Sequence, residues 1–132
     1  MLYIACIEND KTSRFGFEQI AATLRARGFD NYLYVYASLD EAFDSIPLER
    51  PDIVFFDLRP RSKSDPSNLD FIRLLRQHPL CAHTSLVAMA EFTLPADRSA
   101  ALSAGCHAFI QKPVRYQAVE ATINRLVLGT LT

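Results

Sequence analysis

The chain is predicted to be an α/β protein with a doubly wound, parallel, five-stranded sheet, and three features of the sequence predict this. Short apolar runs alternate five times with longer stretches of helical periodicity. The run at 53–56 has no polar alternation, as expected of a strand covered on both faces. Turn and stop residues, among them Gly28, Pro51 and Gly105, fall between the periods. Strict strand-then-helix alternation with short connections implies parallel strands, right-handed crossovers and helices on both faces of the sheet.

The elements follow in order. Residues 2–7 form a short apolar run bounded by Glu8-Asn9-Asp10, too short for a helix and suited to a buried strand. Over 12–27, Phe17, Ile20, Ala21 and Leu24 recur at helical spacing, and Gly28 is the stop. The aromatic and branched run 32–36 suits a second strand, after which Ser38 caps a helix with Leu39, Ala42, Phe43 and Ile46 on one face. Pro51 turns the chain into a third strand over 52–57. Ser67 or Asn68 starts a helix carrying Leu69, Phe71, Ile72, Leu74 and Leu75, which ends near His78-Pro79. Residues 86–90 form the fourth strand. Thr93 with Pro95 marks the start of an alanine-rich helix that stops at Gly105. A fifth strand spans 108–111, and Tyr116, Val119, Ile123, Leu126 and Val127 trace the face of a closing helix. The whole is a (βα)5, flavodoxin-like sandwich.

With 132 residues the chain has room for one domain, 1–132, and not for two. Its 49% hydrophobic and 22% charged residues fit a protein with a real core rather than a disordered tail. Fourteen basic against 15 acidic residues give a formal charge of −1, so no global field favours nucleic acid or an anionic membrane. No apolar run approaches the length of a membrane span, and no basic segment precedes an apolar one at the N-terminus, so a cytoplasmic location is expected. Cys6, Cys81 and Cys106 form no CxxC pair and are too few and too scattered for a disulfide framework. His78, Cys81, His83, Cys106 and His107 precede strands four and five, lack the spacing of a common zinc motif, and are read as ordinary loop residues.

Parallel strands finish on one side of the sheet, where ligands of such folds gather. Glu8, Asn9 and Asp10 after strand one, Asp57 after strand three, Ala90 after strand four and Lys112 after strand five should therefore share a pocket. Acids crowded together repel unless a cation lies among them, which makes a Mg2+ site plausible on charge grounds. An aspartate placed there could attack phosphorus while the lysine pairs with the phosphoryl oxygens.

The acidic cluster Glu8-Asn9-Asp10, Phe55-Phe56-Asp57-Leu58, and Gly105 followed by Phe109 and Lys112-Pro113 together resemble the receiver domains of bacterial response regulators, across essentially the whole chain. The resemblance implies that Asp57 takes a phosphoryl group from a sensor histidine kinase or phosphotransfer protein with Mg2+ present. The metal would be held by Glu8, Asn9, Asp57, the Arg59 backbone carbonyl and, if the loop shifts, Asp10. It also implies a Lys112 contact to the phosphoryl group, a cis peptide at Lys112-Pro113, and a switch pair at positions 90 and 109. Output would pass through the face made by helix four, strand five and helix five. No direct nucleic-acid or membrane partner is implied, and a homodimer is compatible with it. Such a domain is not an enzyme beyond its own phosphorylation and dephosphorylation.

Two positions and one stretch depart from that pattern. Asn9 stands where receivers carry a second acid, so Mg2+ affinity should drop. Ala90 stands where a Ser or Thr hydroxyl normally meets the phosphoryl group, so coupling from Asp57 to Phe109 should weaken. The stretch 59–66 is basic and about three residues longer than usual, and Arg59 is expected over the pocket as a source of positive charge. Asn9 and Ala90 favour the main alternative, a pseudo-receiver that docks partners without phosphorylation, while Asp57, Glu8 and Lys112 favour the receiver. A flavin carrier is disfavoured because Glu8 and Asp10 would repel its phosphate. An Asp-x-Asp phosphatase is disfavoured because position 59 is Arg.

Overall fold

The computed structural model describes residues 1–58, 68–91 and 95–128. The strands are β1 (Leu2–Ile7), β2 (Asn31–Tyr36), β3 (Ile53–Asp57), β4 (Ser85–Ala90) and β5 (Ala108–Gln111). The helices are α1 (Lys11–Ala26), α2 (Leu39–Glu49), α3 (Asn68–Gln77), α4 (Pro95–Ala104) and α5 (Tyr116–Ile123), the last continued by a π-helical turn over Asn124–Leu128. All strand pairs are parallel, in the order β2-β1-β3-β4-β5. This is the expected doubly wound, flavodoxin-like sheet.

Strand side chains alternate between two faces, and each face has its own helices. Ile4, Cys6, Phe55, Val87 and Met89 meet Phe17, Ile20 and Leu24 of α1 and Val119 and Ile123 of α5. Ala5, Ile7, Val54, Phe56 and Ala88 meet Ala42 and Ile46 of α2, Phe71, Ile72 and Leu75 of α3, and Ala101 of α4. The central strands are apolar over 53–56 and 86–90 for this reason: both sides of β3 and β4 are core there. Among the described residues no helix is long and apolar enough to cross a membrane.

Helix ends follow local chemistry. Asp10 is the N-cap of α1, its Oδ2 accepting from the Ser13 amide at 2.9 Å. Ser38 caps α2 as expected, its Oγ accepting from the Glu41 amide at 3.1 Å. A cap of either kind stabilises its helix by about 1 kcal/mol. Several details differ from the sequence reading. Leu74 is 49% exposed rather than part of the buried face of α3. A 3-10 turn over Pro79–Cys81 follows α3, with His78 Nδ1 accepting from the Leu80 amide at 3.1 Å. Arg50 ends α2 with φ 51°, a left-handed stop that an arginine does not announce. The starts expected at Ser67 and Thr93 lie outside the described residues.

Candidate functional site

The chain reverses its winding direction between β1 and β3, and the carboxyl ends of these two strands frame the crevice of the sheet. Glu8 directly follows β1, Asp57 closes β3, and Lys112 directly follows β5. The fold brings the three together. Lys112 Nζ donates to Glu8 Oε2 at 2.8 Å and to Asp57 Oδ1 at 3.1 Å. Its backbone amide donates to the Ala90 carbonyl at 2.8 Å, which ties the lysine's position to the end of β4. The Lys112-Pro113 peptide is cis, as the resemblance implied.

Glu8 is only 2% exposed, and both its oxygens are engaged: Oε1 accepts from the Asp10 amide at 3.2 Å and Oε2 from Lys112. A carboxylate taken so far out of water must be compensated by a cation or hydrogen bonds, and here it has both. Burial pulls the Lys112 ammonium downward, but its bonds to Glu8 and Asp57 outweigh this and leave it above its ordinary range. It stays charged at neutral pH. Cys6, on the same side of the sheet, is pushed up to about 12 by burial and by the Glu8 carboxylate, so it is a core thiol and not a nucleophile.

Asn9 and Asp10 are exposed at the mouth of the site, and Asp10 spends one oxygen on the α1 cap. Ala90 is buried at the end of β4 and carries no hydroxyl. Phe109 is half-buried against the α3 and α4 face of the core, and the Arg98 guanidinium carbon lies 5.4 Å from its ring centre. That contact was not foreseen: a lone arginine on an exposed helix face looks like any solvated charge. Arg59 lies outside the described residues, with the carbonyl and the charge expected of it. Beside Lys112 a cleft of about 500 Å³ opens between α1 and the turn after β5, walled by Gly16, Phe17, Pro113 and Val114. It leaves room for a reacting group to approach along α1.

The donor set suits a hard cation in kind, since Glu8, Asp57 and the Asn9 amide all present oxygen. It is one charge poorer than a three-acid set. Among the described residues no three His, Cys, Asp or Glu side chains come together as a metal cluster.

At the opposite pole of the sheet, Arg76 of α3 reaches across the ends of three elements. Its Nη2 donates to the Cys81 carbonyl at 2.9 Å and also to the Thr84 carbonyl, and Nη1 lies 3.4 Å from His107 Nε2. Cys106 Sγ donates to the Leu86 and Ala108 carbonyls at 3.4 and 3.2 Å. Cys81 and Cys106 are buried packing residues and His107 is a hydrogen-bonded loop residue.

The parallel (βα)5 sheet with a carboxylate and a lysine meeting at its switch point has the receiver fold of two-component signalling. A two-component response regulator from Clostridium difficile is similar over 100% of both chains, with a TM-score of 0.80 and 16% identity. The receiver domain of a sensor histidine kinase from Pseudomonas aeruginosa, with magnesium coordinated in its active-site cleft, is similar over 95% of this chain and 96% of its own (TM-score 0.77, 20% identity). The chemotaxis response regulator CheY4 of Vibrio cholerae is similar over 96% and 99% (TM-score 0.77, 16% identity). No protein-family model and no curated relative matches the chain.

Proposed function

We propose that this chain is a receiver module of two-component signalling, working in the cytoplasm, in which Asp57 accepts a phosphoryl group from a sensor histidine kinase or phosphotransfer protein. The observation that carries the reading is the Lys112 ammonium 3.1 Å from Asp57 Oδ1 at the carboxyl edge of a receiver-type sheet. In the reaction an Asp57 oxygen forms a bond to phosphorus as the donor's bond to phosphorus breaks. Lys112 shifts its hydrogen bond from the carboxylate to the phosphoryl oxygens, where negative charge accumulates. Glu8 keeps the ammonium oriented while this happens. Mg2+ would be held by Asp57, Glu8 and Asn9, with the Arg59 carbonyl and Asp10 as further oxygen donors, and would neutralise phosphoryl charge. Asn9 makes that hold weak. The module makes and loses its own phosphoryl group and catalyses nothing else, and its output passes through α4, β5 and α5.

A second reading has its own support in Asn9 and Ala90: a docking module whose helices bind partners irrespective of phosphorylation. One experiment separates the two. The protein is incubated with a small acyl phosphate, with and without Mg2+, and the intact product is weighed by mass spectrometry. A phosphoryl adduct that increases with Mg2+ and vanishes in Asp57→Asn is the expected result. No adduct at any Mg2+ concentration refutes the phosphoacceptor and leaves the docking module.

A further inference from the structure

β2 is one edge of the sheet, paired on one side with β1 alone. The Leu2 amide donates to the Asp30 carbonyl at 2.9 Å and the Glu8 amide to the Tyr36 carbonyl at 3.0 Å. Even-numbered residues of β2 thus turn their backbone groups inward. Groups alternate along a strand, so the N–H and C=O of Leu33 and Val35 point away from the sheet.

Edge strands of soluble proteins are usually guarded by a charge, a proline, a bulge or very short length. Asn31–Tyr36 has the sequence NYLYVY, with no charged residue and no proline, and its register with β1 is unbroken. The C-terminal end is closed off. Asn31 uses its side chain on the Ala21 and Phe29 carbonyls at 3.1 and 3.0 Å, and the Ala37 amide donates to Glu41 Oε2 at 3.1 Å. Among the described residues, what remains open is a short uncharged ladder centred on Tyr34.

That ladder is its own complement. If β2 meets a second β2 antiparallel with the twofold axis at Tyr34, Leu33 stands opposite Val35 of the partner subunit. The outward groups of these residues then satisfy one another on both sides of the axis. Even-numbered side chains share the other face: Tyr34 meets Tyr34 of the partner subunit, while Tyr36 stays buried in its own core. Tyr34 falls at a non-hydrogen-bonded position, where facing side chains approach most closely. The tyrosines already form a cluster within one chain, with ring centres 4.8 Å apart for Tyr32 and Tyr34 and 6.3 Å for Tyr3 and Tyr34, and Tyr32 is 54% exposed. Aliphatic meets aliphatic, aromatic meets aromatic, and no like charges face one another.

We propose that the β2 edge is a self-association surface through which two copies of this chain join their sheets antiparallel about Tyr34. The contact is closed and isologous, so it stops at a dimer. It is small, and the dimer is therefore weak and concentration-dependent. It does not involve Asp57 and forms without phosphorylation.

Sedimentation equilibrium from about 1 µM to about 1 mM tests this. The wild type should pass from monomer to dimer, and L33K and V35E should each raise the dissociation constant at least about tenfold. The double variant L33K/V35E should return to within roughly threefold of wild type, because in this register the introduced ammonium and carboxylate face one another. A second measurement needs no substitution and so does not depend on the variants folding. Exchange of the Leu33 and Val35 amide hydrogens in wild type should slow at least about tenfold from the dilute to the concentrated end. A monomer throughout, a dimer indifferent to both single substitutions, a double variant as weak as the singles, or concentration-independent exchange at Leu33 and Val35 would each overturn the proposal.

Discussion

Arg76 and Gly105 are fitted to one another across the lower edge of the sheet: a β-carbon built on Gly105 would lie 2.7 Å from Arg76 Cδ and closer still to Cγ. Gly105 also has φ +121°, a conformation that side chains rarely adopt. The arginine cannot simply swing away, because its guanidinium is tied to the Cys81 and Thr84 carbonyls. Gly105→Ala therefore meets strain and overpacking at once, each costing roughly 1–3 kcal/mol. Gly28 is the internal control, with φ +96° and open space around it, so Gly28→Ala carries the strain alone. Urea unfolding should show a clearly larger loss of midpoint for Gly105→Ala. Equal losses would mean that Arg76 yields without cost.

Much of this architecture was legible because the signals were local. The apolar runs, Gly28, Ser38 and Gly105 report periodicity and cap chemistry, which a strand or helix carries within itself. The meeting of Glu8, Asp57 and Lys112 was legible for a different reason: parallel strands must end on one side, so topology alone assembles residues far apart in sequence. Arg76 and Arg98 were illegible. Each sits on a helix where arginine is ordinary, and its meaning comes from a partner on another element, Gly105 in one case and Phe109 in the other. Leu74 erred the other way, since helical spacing marks an apolar stripe without fixing its width, and Leu74 lies 49% exposed at the margin of the α3 stripe.

Lys112 holds a buried carboxylate in place, so it should matter for stability as well as chemistry. Lys112→Met takes from the buried Glu8 carboxylate its bond to the ammonium. A hydrogen bond to a charged group contributes roughly 1.5–3 kcal/mol, and a loss of that order is expected from chemical denaturation at pH 7.5. Glu8→Gln in the Lys112→Met background should recover part of it by removing a buried charge that no longer has the ammonium beside it. The pH sign follows from the raised ammonium. Its contribution is complete below about 10.4, the unfolded value, and is lost as pH rises through the folded one. An additive double variant would show that Glu8 and Lys112 are not coupled.

His107 should make the fold sensitive to mild acid. Its Nδ1 accepts from the Leu86 amide at 3.0 Å, and burial together with the neighbouring Arg76 guanidinium holds its titration below the ordinary histidine range. A proton on Nδ1 would remove the acceptor and set two cations side by side. Above about pH 6.5 the ring is neutral in both folded and unfolded chains, and its contribution is intact. As pH falls further the unfolded chain binds the proton first, so stability declines until the lowered folded value is reached. Denaturation midpoints at pH 7.5, 6.5 and 5.5 should fall more steeply for wild type than for His107→Gln. Parallel curves would remove His107 as the cause.

Phe109 packs under Arg98 in a chain that lacks the hydroxyl at position 90, and on the proposed function the balance between these two features should decide whether phosphorylation reaches the α4 and β5 surface. An exposed cation–π contact is worth about 0.5–1 kcal/mol. A hydroxyl bonded to a phosphoryl oxygen is worth roughly 1.5–3 kcal/mol, enough to overcome it. With Ala90 that pull is missing, so phosphorylation of Asp57 should leave the Phe109 ring under Arg98. Ala90→Thr supplies the hydroxyl. In that variant the Phe109 ring signals in NMR spectra should shift on treatment with an acyl phosphate, while the wild-type ring signals stay nearly fixed at the same extent of phosphorylation. Arg98→Ala should let the ring move further in the Ala90→Thr background and change little in wild type. A wild-type ring that shifts as far as the Ala90→Thr ring would show that the switch is driven by some contact other than a position-90 hydroxyl.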